Sequence, residues 1–132
     1  MEDRVRRLKR IQTVQEQMHR LAEQRLNGLV TAEQELRRHE EALVTALDEA
    51  TVLHGLFVDQ MARRVRTVAA QADATATRAV AQREKLLEEK LKLKRVEDAT
   101  RRIEREYQRL LERKHLEEVV RPVSRIGDAS LP

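Results

Sequence analysis

Apolar residues recur at alternating steps of three and four along almost the whole chain, in phase on each side of one glycine, Gly55. Before it the series runs Leu8, Ile11, Gln15, Met18, Ala22, Arg25, Leu29, Ala32, Leu36, His39, Leu43, Ala46, Ala50 and Leu53. After it the series runs Val58, Met61, Val65, Val68, Ala72, Thr75, Ala79, Gln82, Leu86, Glu89, Leu93, Val96, Thr100, Ile103, Tyr107 and Leu110. A repeat of about 3.5 residues draws one narrow stripe on a helix, the seam of a coiled coil. The pattern predicts an all-α fold, an antiparallel two-helix coiled-coil hairpin over residues 1–121. Helix one is expected over about residues 2–53, a bend over 54–57, and helix two over about 58–120. At a rise of about 1.5 Å per residue, these are rods of about 75–80 Å and 90–95 Å.

Three places test that simple picture. Asn27-Gly28 is a turn dipeptide elsewhere, yet Leu29, Leu36 and Leu43 stay in phase with Leu8 across it, so helix one is expected to run on unbroken. The stretch Ala69–Ala81 has a seam of small residues and threonines, where the helices either approach closely or gape. Pro122 lacks an N–H and its ring crowds the preceding turn. Residues 122–132 are therefore expected to form a flexible C-terminal tail.

Charge supplies a register. If Leu53 and Val58 flank the bend, facing residues have numbers that sum to about 111. Thr31–Ala50 carries six acids against Arg37 and Arg38, and Met61–Val80, which it would face, carries four arginines against Asp73. Glu33–Arg78 and Asp48–Arg63 then become expected pairs, of the flanking kind that sets orientation in coiled coils. Agreement fails toward the termini, where Lys9 would face Arg102. That end gathers Arg4, Arg6, Arg7, Lys9, Arg10, Arg101, Arg102 and Arg105. Like charges repel unless an outside anion neutralises them, so this is either a solvated face balanced by Asp98, Glu104 and Glu106 or a docking surface for an acidic partner. At the bend, Val52, Leu56, Phe57 and Val58 form either a local staple or a contact point. The seam itself is polar at Gln15, Arg25, His39, Gln82, Glu89 and Thr100, which suggests marginal stability or a surface completed by a partner.

Composition narrows the function classes. Aromatics are 2% and charged residues 38%, too little bulk for a globular core around several elements. No cysteine is present, which removes disulfides and cysteine zinc sites. None of the four histidines stands at metal-pair spacing, both serines lie in the C-terminal stretch, and no phosphate-binding glycine loop occurs. The expectation is no enzyme, no cofactor and no metal. Nucleic acid is disfavoured, because basic stretches are interleaved with glutamates and base-stacking aromatics are almost absent. No signal peptide or membrane-spanning run is read, and a cytoplasmic location is expected.

The opening Arg7-Leu8-Lys9-Arg10-Ile11-Gln12, followed by Met18-His19-Arg20-Leu21-Ala22-Glu23, resembles that of flagellar members of the FliJ/YscO (SctO) family, the stalk proteins of type III secretion. Length and a cysteine-free hairpin fit the same family over residues 1–120. The resemblance implies a non-enzymatic stalk that couples a hexameric secretion ATPase to a membrane export gate, with export chaperones as further partners. By position on the hairpin, the basic terminal end would face the ATPase and the tip around Leu56, Phe57 and Val58 would face the gate. Gly28 and the proline-bearing tail depart from the family pattern. The competing class is a generic coiled-coil scaffold or chaperone-like adaptor that oligomerises or binds partner helices.

Overall fold

The structure is a computed structural model that describes residues 1–49 and 55–129, without the side chains of residue 56 and residues 122–129. Two long helices pack against each other as a helical hairpin: α1, Glu2–Glu49, and α2, Gly55–Ala129. Glu2 and Asp3 place negative charge in the first turn of α1, where the helix dipole favours it. The chain has no positive-φ residue among those described. α1 runs through Gly28, where an added Cβ would meet nothing within 4 Å. Glycine there carries only its intrinsic helix cost of about 1 kcal/mol against alanine.

Two boundaries differ from the sequence expectation. Gly55, Leu56 and Phe57, expected in the bend, already belong to α2; His54 and the rest of residues 50–54 lie outside the described residues. α2 also passes through Pro122 to Ala129 rather than ending near residue 120. A proline costs a helix interior one hydrogen bond and about 3 kcal/mol, but it permits helical backbone after it. The remainder of the expected tail, residues 130–132, lies outside the described residues.

The chain divides into two compact units, Met1–Glu16 with Leu91–Pro132, and Gln17–Lys90. In the second unit, Ala22, Val68, Ala72, Thr75, Ala79 and Gln82 are buried. Ala72 is 0% exposed, and a methyl group can be covered that fully only where the opposite helix comes close. The small-residue stretch of α2 is therefore a close approach, not a gap. Its polar members are satisfied: Thr75 Oγ1 donates to the Gln71 carbonyl at 2.8 Å, and Gln82 Nε2 crosses to the Ala22 carbonyl at 3.2 Å. Arg37 Nη2 crosses to Asp73 Oδ1 at 2.8 Å, and this hydrogen bond holds the guanidinium pKa above its ordinary value. The pair fits the expected register to within a residue. The expected Glu33–Arg78 and Asp48–Arg63 pairs do not form among the described residues; Glu33 lies 3.9 Å from Arg37, one turn along its own helix.

In the first unit, Val5, Thr100 and Ile103 are buried, and Thr100 Oγ1 donates to the Val96 carbonyl at 2.8 Å. Lys9 does not oppose Arg102: its amine reaches Glu104 at 3.3 Å. Leu110 is the last half-buried position among the described side chains of α2, and every side chain from Leu111 to Arg121 is exposed.

The seam of α2 follows the expected series from Met61 to Leu110 without exception, while that of α1 is partly shifted. Leu8, Gln15, Ala22, Leu29, Ala32, Leu36, Leu43 and Ala46 are covered as expected. Ile11, Met18, Arg25 and His39 are exposed, and Gln12, His19, Leu26 and Glu40, each one residue later, are half-buried. The phase is set by Val5, Leu26 and Leu47, spaced by whole heptads. Arg25 and His39 thus leave the set of polar seam residues, and among the described residues no buried side-chain polar atom lacks a hydrogen bond.

Candidate docking surfaces

The eight cations of the terminal end come from the first turns of α1 and from the Arg101–Arg105 turn of α2, all within one unit and all exposed. Which of them find acids depends on an acid standing one turn away or across the seam. Arg6 Nη2 meets Glu2 Oε1 at 2.8 Å one turn back, Arg101 Nη2 meets Asp98 Oδ1 at 2.9 Å, and Lys9 reaches Glu104. Arg4, Arg7, Arg10, Arg102 and Arg105 have no ion pair among the described residues. A guanidinium has five donors in a planar fork suited to carboxylate, and here five guanidiniums lie in water without one among the described residues. They do not make an enclosed anion site. The open groove of about 490 Å³ between Lys9 and Arg101 is lined also by Glu16, Glu97 and Glu104.

At the other candidate surface, Phe57 is 61% and Val58 37% exposed in the first turn of α2. Val52 lies outside the described residues, as does the side chain of Leu56. The structure therefore presents two of the four tip residues, both at the surface.

A third feature was not anticipated. Arg95, Arg102 and Arg109 recur at seven-residue spacing on the outward side of α2, away from the seam, with Arg105 between the last two. Leu116 continues the same row into the stretch where α2 lacks cover. Heptad counting on the arginines alone finds this row; attention to apolar positions passes over it.

Among the described residues no group of three or more His, Cys, Asp or Glu could hold a metal ion, and no helix is long and apolar enough to cross a membrane. No protein-family model matches the chain, and neither a curated protein nor a solved structure is significantly similar to it.

Proposed function

We propose that this chain is a non-enzymatic, cytoplasmic coiled-coil stalk of the FliJ/YscO kind, coupling a hexameric secretion ATPase to its export gate. The observation that carries the reading is the set of arginines without an ion pair among the described residues, Arg4, Arg7, Arg10, Arg102 and Arg105, on a helical hairpin. Exposed guanidiniums of this kind suit contact with the carboxylates of a partner surface. The exposed Phe57 and Val58 supply an apolar contact for the gate. The test is the steady-state rate of the cognate ATPase with and without the purified chain. Stimulation that is lost in the Arg4→Glu/Arg7→Glu/Arg10→Glu variant is expected. No effect of the native chain on that enzyme removes the reading.

A scaffold or adaptor that binds partner helices is the second reading, favoured by the uncovered Leu116, Val119 and Val120. Sedimentation velocity separates it: a stable oligomer of the isolated chain is its signature, whereas the stalk reading expects a monomer.

A further inference from the structure

The outward row of α2 shares Arg102 and Arg105 with the terminal cluster but runs beyond it, through Arg95 and Arg109, along one side of the helix. Arg95, Arg102 and Arg109 stand two helical turns apart, about 10.5 Å at each step, and Arg105 fills the interval before Arg109. All four are exposed, and their side chains lack an ion pair or hydrogen bond among the described residues. Three acids share the ridge, and one of them, Glu106, lines the same groove as Arg102, Arg105 and Arg109. Asp98 is engaged by Arg101 at 2.9 Å, and Glu112 lies beyond Arg109. Arg105 and Arg109 are an i,i+4 pair of like charge, an arrangement that destabilises an isolated helix. Arg102, Arg105 and Arg109 share one shallow groove of about 380 Å³. The row then turns apolar: Leu116 is 61% and Val120 58% exposed, with Val119 between them.

We infer that this ridge, from Arg95 to Val120, is a docking surface for an acidic helix of another protein, whose apolar end covers Leu116, Val119 and Val120. The inference does not depend on the secretion reading. Charge complementarity selects an acidic partner, because four guanidiniums in a row present forks to carboxylates along one line. The apolar end selects protein over nucleic acid: a phosphate backbone leaves Leu116 and Val120 in water, whereas a helix laid along the ridge buries them. A membrane surface fits less well. Interfacial helices submerge an apolar face along their length with cations at its borders, and here arginines hold the centre of the face. Glu112 marks where the charged part of the row gives way to the apolar part.

The experiment uses the full chain and a synthetic four-heptad helical peptide with glutamates along one face and leucines at one end of that face. Binding is read by fluorescence anisotropy across a salt series, beside a duplex DNA oligonucleotide and phosphatidylserine vesicles. The peptide is expected to bind, with affinity lowered about tenfold by R102E/R109E and about threefold by L116D. R102Q/R109Q is expected to fall between, and R4E/R7E to change nothing. Circular dichroism checks that each variant keeps its helix content. Failure of the peptide to bind overturns the inference. So does DNA or vesicle binding that exceeds peptide binding and ignores L116D, or a self-associated chain that R102E/R109E dissociates, since the occupant is then a second copy.

Discussion

Val68–Gln82 and Leu111–Arg121 are stretches of the same helix with opposite fates. The first buries Val68, Ala72, Thr75, Ala79 and Gln82, of which only Val68 is a sizeable hydrophobe. The second carries Leu111, Leu116, Val119 and Val120 and buries none of them. Side-chain hydrophobicity therefore does not decide burial in this molecule; the presence of α1 alongside does. Where α1 lies close, alanine and threonine suffice, because short side chains let the backbones approach and threonine hydroxyls bond their own helix. Where it is absent, leucine and valine stay in water, and this exposed apolar row is the place where the proposed partner helix would rest.

The contrast is sharpest under a charge. Ala72→Glu forces a carboxylate into a fully covered site and is expected to cost about 3 kcal/mol, while Val120→Glu stays within about 0.5 kcal/mol. Thermal unfolding followed by circular dichroism compares the two, and equal losses would erase the distinction between the stretches. A smaller effect probes the polar member of the buried stretch. Gln82→Leu removes one cross-helix hydrogen bond but leaves the Ala22 carbonyl its own helical partner, so about 1 kcal/mol of added stability is expected in urea unfolding. Destabilisation of that size would make Gln82 a structural clamp rather than a tolerated polar seam residue.

Much of the fold was legible in the sequence because the period of α2 is unambiguous: between Met61 and Leu110 each seam position has one apolar or small candidate in most turns. α1 was less legible. Ile11 beside Gln12 and Met18 beside His19 favour the wrong neighbour on hydrophobicity, and the coverage actually follows Val5, Leu26 and Leu47. Charge pairing misled in the same way. Arg78 and Glu33 fit the register, but Arg37 lies nearer to Glu33 and also reaches Asp73. Such exposed pairs contribute too little to impose a geometry on the helices. The basic terminal end was visible as composition. Which of its arginines are unpaired was not, because that depends on acids such as Glu2, Asp98 and Glu104 being one turn away or across the seam. Pro122 was overweighted, since a helix can lose one hydrogen bond at a proline and continue beyond it.

Hydrogen exchange of the isolated chain, resolved by peptide, tests the division of α2 most directly. Amides of Val68–Gln82 are expected to exchange slowly, at the rate of global unfolding, and those of Leu111–Arg121 at least about a hundredfold faster. Uniform protection along α2 would contradict the account, because it would mean that the second stretch already has the partner that its exposed face is argued to await.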